Sequence, residues 1–512
     1  MIRLFQSNDM STLMATFVAR SLAAPIDPFE PETVVVQSFG MGQWLKLQTA
    51  AQVGIAANIR CELPADLVWN LYQRVLGAEV PAGSSPFGRE RLAWHLMREL
   101  PRLQGERFAP VIHFLSGTGD PQVRTWQLAM KIAGLFDQYL VYRPEWILAW
   151  EAGTPKAPDH WLGDLWRQLR SSPGLRDLPH RAALHDRFVR GLETGPPPGV
   201  LPERISIFGL SSMPVMHLDA FRAASRHVEV DIYFLNPCQH YWGDVISEKD
   251  RERRSVRRLI DKDGSLDDFD YLDVGNPLLS SMGKEGREFM ELMLEIDEID
   301  VIDDWVEPPG ENILQMIQRD VLNLEFGGEF GLGAQPTPTR VADDDTSLQI
   351  HACHSKMREV EVLQDQLYHL MRADPALSPA DIIVMTPDVG AYAPYIDAVF
   401  RGRMRYAIAD RSLREESAVL VAFTSLLALP DSRLASTDMM DLLEVPTIAR
   451  KLGLFEDELS TITQWIQDAG IRFELDGAAK ASRWEIPPED YNTWQFGLDR
   501  LLLGYAMSEG TP

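Results

Sequence analysis

TVVVQSFGMGQWLKLQTA, residues 33–50, carries the reading of the fold. TVVVQSF (33–39) opens on four β-branched residues, the composition of a strand covered on both faces. GMGQWLKLQTAAQV (40–53) follows as a helix opened by glycines. Upstream, RLFQS (3–7) is a short apolar strand, and DMSTLMATFVARSLA (9–23) has apolar residues at helical spacing with Asn8 or Asp9 as N-cap. Downstream, GIAANIRC reads as strand or extended chain and ADLVWNLYQRVLG (65–77) as a helix closed by glycine. ERLAWHLMRELPRL (90–103), VRTWQLAMKIAGLFDQYLVY (123–142) and HRAALHDRFVRGLE (180–193) are helical. Strand character returns at RISIFGLSS (204–212) and VEVDIYFLNP (228–237), on either side of a helix at 214–226. This order predicts a parallel sheet with a helical insertion at about 78–200.

Beyond residue 240 the chain changes character. DRERRSVRRLIDKDG (250–264) reads as a helix whose Arg251, Arg253, Arg254, Arg257 and Arg258 either bind phosphate or pair with the acidic loop DDFDYLD (267–273). NPLLSSMGKEGREFMELMLEI (276–296) is an amphipathic helix, and the Gly-, Pro-, Thr- and Asp-rich 325–346 is a linker. A second α/β unit is expected to follow. Its strands are SLQIHACHS (347–355), DIIVMTP (381–387) and RYAIAD (405–410), and its helices are 356–373 and 391–400. From 415 the chain is largely helical and ends at Pro512 without a closing domain, so it reads as part of something longer. The predicted class is therefore α/β, with a first domain over 1–324, a linker over 325–346 and the start of a second domain over 347–512.

Composition bounds the function. The chain has 512 residues, 45% hydrophobic and 24% charged, which excludes disordered, collagenous and disulfide-scaffold classes. No apolar run approaches a bilayer span, and the N-terminus lacks the pattern of a signal peptide, so a cytoplasmic location is expected. Cys61, Cys238 and Cys353 lie far apart, which fits a reducing compartment and no zinc pattern. The formal charge of −26 argues against a globally basic nucleic-acid binder. The acidity is uneven: residues 241–350 hold 27 acids and 11 bases, whereas 121–200 hold 10 bases and 8 acids. A neutral-to-basic groove outside the acidic stretch remains open.

Catalytic patterns do not emerge. GxxxxGK[ST] is missing, and Gly40-Met41-Gly42-Gln43-Trp44-Leu45-Lys46, although placed between strand and helix, lacks the glycine–lysine–hydroxyl triple that cradles phosphate. A packed helix start is the simpler account. The acidic run Asp297, Glu298, Asp300, Asp303, Asp304 has no nearby lysine for a metal nuclease and reads as a solvated loop or face. His180 with His185, and His351 with His354 on an expected strand, read as structural histidines. What remains is binding chemistry. Gln37, Gln43, Trp44, Trp69, Gln138, Tyr139, Tyr142, Arg143 and Arg181 combine amides, aromatic platforms and arginines, the set with which single-strand binders grip bases and phosphates. In LFDQYLVYR (135–143), Leu135, Gln138 and Tyr142 share a helical face, and Asp137 offers an acceptor. Such a stripe equally serves core packing.

VQSFGMGQWLKLQTA, GIAANIRCELPADLVW, LFDQYLVYRPEWILAWE, FLNPCQHYWGD, DVGNPLLSSMGKEGREF, HACHSKMREVEVLQDQL and LLLGYAM, in this order along the whole chain, resemble the RecC family, the gamma subunit of bacterial exodeoxyribonuclease V. The resemblance covers roughly the first half of such a subunit. It implies two tandem P-loop-like, superfamily 1 helicase-related parallel-sheet units with large helical insertions and a decayed ATP site. It also implies a subunit without an active site of its own, in a helicase–nuclease that repairs double-strand breaks by recombination. RecB-type and RecD-type partners would supply motors and nuclease and use ATP and Mg²⁺, with no cofactor on this chain. The RecC-type chain would help split forked duplex DNA and scan the 3′ single strand for the recombination signal Chi. A nucleotide-hydrolysing subunit with a degenerate phosphate loop and a pure interaction scaffold are the alternatives. By the same resemblance, Gln37, Gln43, Leu63, Trp69, Leu135, Asp137, Gln138, Arg143 and Arg181 match residues of the family's Chi tunnel. Phe39 and Gly134 fall on tunnel positions where the family pattern has threonine and aspartate, which would alter base preference.

Overall fold

A computed structural model describes residues 1–81, 83, 85–154, 158, 160–196, 199–245, 275–296, 299–326, 329–330, 340–409 and 417–507. The arginine segment 251–258 and the acidic loop 267–273 lie outside the described residues. The chain divides into two units, Met1–Leu348 and Gln349–Pro512.

The first unit is built on six parallel strands: β1 (Ile2–Ser7), β2 (Glu32–Val36), β3 (Ile59–Glu62), β4 (Arg204–Phe208), β5 (Glu229–Leu235) and β6 (Ile299–Asp303). Their order in the sheet is β3-β2-β4-β5-β1-β6. β1 is thus held between β5, with Leu4 opposite Ile232, and β6, with Leu4 opposite Val301. β2 and β4 are buried along their whole length, as their β-branched runs require. Ile299–Asp303 belongs to the stretch expected as a solvated acidic loop or face. It is instead an edge strand, because Ile299, Val301 and Ile302 give it enough apolar character to pair while its aspartates stay toward solvent.

Helices α1 (Met10–Ala23), α2 (Phe39–Val53) and α3 (Pro64–Leu76) follow the first three strands. α1 begins at Asp9, whose carboxylate accepts from the Thr12 amide. One face of the sheet buries Phe5, Phe17, Phe208 and Tyr233 in a ring cluster, with Phe5 stacked on Tyr233 at 5.0 Å. The other face covers Val35, Ile207 and Ile232 with α3, α9 (Arg181–Glu193) and α10 (Val215–Ala224). The amino ends of the strands are pinned by ion pairs. Buried Arg204 grips Glu32 at 2.9 Å, and Arg3 and Arg20 meet Asp231 at 2.7 and 3.3 Å. The insertion between β3 and β4 has its own core, in which α4 (Arg89–Glu99), α6 (Pro121–Tyr142), α7 (Pro144–Ala152) and α8 (Trp161–Ser171) enclose Phe136 and Trp166. A short helix α5 (Ala109–Leu115) precedes α6.

Three further expectations are corrected. The helix expected over 276–296 is two, Pro277–Met282 and Lys284–Leu294, broken at Gly283. There the chain passes so close to Trp242 that a Cβ would lie 2.7 Å from its ring. In the linker stretch, Glu325–Phe326 and Glu329–Phe330 pair antiparallel. The second parallel sheet does not form among the described residues. The segments 347–355, 381–387 and 405–409 carry no ladder, and His351 and His354 therefore do not sit on a strand. The β-branched run at 382–384 supplied strand propensity, but a strand exists only with a partner for its backbone. Ile350, Ile383 and Met385 are left exposed. The second unit is instead helical, with Lys356–Ala373 packed on Val389–Phe400 through Val360, Leu367, Val399 and Phe400, and a further set of helices from Ala418 to Ala506.

Candidate nucleic-acid interface

In a parallel sheet with helical crossovers, ligands meet the chain at the carboxyl ends of the strands. Two neighbouring strands end on predicted site residues. β2 runs out at Val36 into exposed Gln37 and Ser38, and β3 runs out at Glu62 into half-buried Leu63. Ser38 caps α2 by accepting from the Met41 amide at 3.2 Å. That cap turns the chain so that Phe39, the first helical residue, is 74% exposed and Gln43 is exposed one turn on. Gly42 points the opposite way. A Cβ there would lie 2.8 Å from Cys61 Cβ, so this glycine lets α2 approach β3 closely. The GMGQWLK segment is therefore a packed helix start, and Trp44 beside it packs on Phe208 at 6.2 Å.

α3 places Trp69 half inside the molecule. Its indole N–H donates to the Gly83 carbonyl at 2.9 Å and its ring lies 6.5 Å from Tyr72. Behind it, the Tyr72 hydroxyl and His185 Nδ1 are 2.9 Å apart, and His185 Nε2 meets Asp219 Oδ2 at 2.9 Å. This chain ties α3 to α9 and α10. The bond from His185 holds the Asp219 carboxyl below its ordinary range against the opposing effect of burial, helped by Arg222 and Arg226. Burial raises the Tyr72 phenol far above its usual value, so it stays a neutral hydroxyl. His217 beside them is buried, and burial together with Arg181 and His185 lowers it to about 4.

The α6 residues form the second group. Leu135 is 38% exposed, Gln138 is exposed, and Gly134 and Asp137 are half-buried. Asp137 accepts from Arg181, the first residue of α9, at 3.3 Å. Arg143 is exposed at the α6–α7 junction, its guanidinium 5.5 Å over the Trp146 ring and 3.9 Å from Glu145. Tyr139, by contrast, packs inward on Trp146 and Trp150. Two groups are thus brought together: Gln37, Phe39, Gln43 and Leu63 at one strand-end edge, and the α6 stripe with Arg181. Among the described residues, no hydrogen bond or ion pair joins the first group to the second.

Sequence reasoning missed two features. Arg89 of α4 lies over Gly134, its Nε 3.6 Å from where a side chain would begin. The Tyr72–His185–Asp219 chain was also invisible, because its members are separated by more than 30 residues at each step. His180 is buried, caps α9 and bonds Glu151 at 3.1 Å, a structural role.

Comparison with known proteins settles the family. The model of the RecC N-terminal domain matches residues 2–324, and that of the RecBCD enzyme subunit RecC fourth domain matches 416–512. This chain belongs to the RecC family. RecBCD enzyme subunit RecC of Escherichia coli K12 is 39% identical over 99% of the chain, and that of Haemophilus influenzae 34% identical over 95%. The Mycobacterium tuberculosis subunit is 28% identical over 98%. The chain spans about half the length of these RecC relatives, at 48%, 47% and 46% respectively. Within the RecC N-terminal match lie all eleven candidate site residues and the whole six-stranded sheet. No described helix is long and apolar enough to cross a membrane.

Proposed function

We propose that this chain is a non-catalytic DNA-recognition and scaffold subunit of a RecBCD-type helicase–nuclease. RecB-type and RecD-type partners supply the motors and nuclease and use ATP and Mg²⁺. The chain itself helps part forked duplex DNA and follows the 3′ strand to read Chi. The observation that carries this reading is the edge where β2 and β3 end. Exposed Gln37, Phe39 and Gln43 gather with Leu63 there, at the ligand-binding end of the sheet. Amides read base edges, a flat ring accepts a stacked base, and the Arg181–Asp137 pair and Arg143 extend the polar surface on α6 and α9. Glycine 42, spent on packing against Cys61, supports a helicase-like start that no longer wraps phosphate.

For Trp69 a second reading has its own support. The bond to Gly83 and the packing on the core make it a wall that shapes the interface as much as a stacking platform.

The test is photo-crosslinking of single-stranded DNA to this chain in the assembled complex, with peptide mapping. Peptides containing Gln37–Gln43 and Gln138 are expected to be labelled. Labelling confined to other parts of the chain would refute the assignment.

A further inference from the structure

The second unit holds a pocket of about 450 Å³ that the interface above does not use. Arg433, Ser436, Thr437, Arg472, Phe473 and Trp484 line it. Two short stretches set the arginines side by side. The Ser436 amide donates to the Arg472 carbonyl at 2.9 Å, and the Glu474 amide donates to the Arg433 carbonyl at 2.7 Å. Neither guanidinium has a carboxylate partner among the described residues, although the chain as a whole carries 75 acids against 49 bases. Asp438 accepts from the Thr437 hydroxyl at 3.4 Å and is not part of the lining.

The aromatic wall is fixed from behind. Trp484 is 48% exposed, yet its indole N–H donates to Glu474 at 3.0 Å. Glu474 is buried, and Arg483 neutralises it at 3.4 Å while also donating to the Pro430 carbonyl at 3.3 Å. Three residues flanking the lining, Leu434, Glu474 and Glu485, have positive φ of 48°, 58° and 54°. Non-glycine residues take that conformation at a cost, and such strain gathers where side chains must be held for a ligand. Two guanidinium groups without a carboxylate partner among the described residues, the Ser436 hydroxyl and a clamped, half-open indole are the complement of one phosphate and one base.

We propose that this pocket binds a nucleoside phosphate. Arg433 and Arg472 hold the phosphate with the hydroxyl of Ser436, and the base lies on Trp484. The ligand is either a nucleotide within a single strand or a free mononucleotide.

The test uses the 512-residue chain with a dT12 oligomer carrying 4-thiothymidine, irradiated and mapped by peptide. Crosslinks are expected within 472–486. They should fall at least tenfold in Arg433→Gln/Arg472→Gln and persist in Arg433→Lys/Arg472→Lys. Trp484→Leu should abolish them with the arginines intact, a second route should the double glutamine variant fail to fold. Trp69→Ala should leave them unchanged, which separates this pocket from the interface on the first unit. Displacement by unlabelled dT12 but not by equimolar dTMP assigns a strand, and displacement by dTMP assigns a mononucleotide. No crosslink in 472–486, survival of the crosslink in a folded glutamine variant, or displacement by inorganic phosphate as effectively as by dTMP would overturn the proposal.

Discussion

Tyr72, His185 and Asp219 show how a single polar chain can hold three helices, and their neighbour His217 makes it sensitive to acid. His217 is buried and lowered to about 4 from 6.5, so below pH 6.5 the unfolded chain takes up a proton that the native chain refuses until near pH 4. The stability it contributes is complete above pH 6.5 and is lost as pH falls toward 4. The loss from this residue should be about 2 kcal/mol between pH 7.5 and pH 5. His217→Leu should flatten that limb in urea denaturation at the two pH values, and an unchanged slope would rule His217 out as its source. Tyr72→Phe leaves His185 Nδ1 without its partner and should lower stability by about 1 kcal/mol. At Trp69, alanine should cost about 2–4 kcal/mol through lost packing, because the ring is half in the core. Trp69→Phe should recover most of that while still losing the bond to Gly83, as read from urea midpoints.

Among elements, α2 and β3 depend on one missing side chain. Gly42→Ala would press a methyl to 2.8 Å from Cys61 Cβ, between a helix and a strand that cannot easily separate. It should destabilise the first unit by about 1–3 kcal/mol, measured by urea denaturation, and should displace Gln43 from the interface edge. The glycine was visible in the sequence, but its role was not, since Cys61 is 19 residues away. The same contrast runs through the elements. Val34–Val36 and Ile205–Phe208 announced strands because their composition suits burial on both faces. Ile299–Asp303 hid among acids, and Ile382–Val384 looked like a strand yet has no ladder partner among the described residues. Local pattern reports propensity, whereas pairing is decided by chain that lies far off in sequence. The candidate interface residues were named by resemblance, and the fold places Gln37, Phe39, Gln43 and Leu63 where β2 and β3 end. The contact of Arg89 over Gly134 was not legible, because it joins helices 45 residues apart.

At the scale of the molecule, the two units carry separate cores. The sheet and insertion of Met1–Leu348 bury Phe136, Trp166, Phe208 and Tyr233 entirely within that unit. A fragment ending at Leu348 should therefore keep its secondary structure and melt in one cooperative step by circular dichroism. A broad, non-cooperative melt would mean that the second unit is needed to complete it. The overall charge of −26 also sets a salt response. If Arg143 and Arg181 contact DNA as proposed, they do so against repulsion from the bulk of the surface, which added salt screens, so affinity should fall only shallowly with salt, with a log–log slope of about −1.

The place of β1 has a consequence for how this protein is born. β1 is held between β5 and β6, strands that are translated more than 200 residues after it. At ordinary elongation rates of about 5–20 residues per second, its partners emerge roughly 10–60 seconds later. Throughout that interval Leu4 and Phe5 have no sheet to enter. β1 must wait unpaired until then, and its docking is the step that closes the sheet.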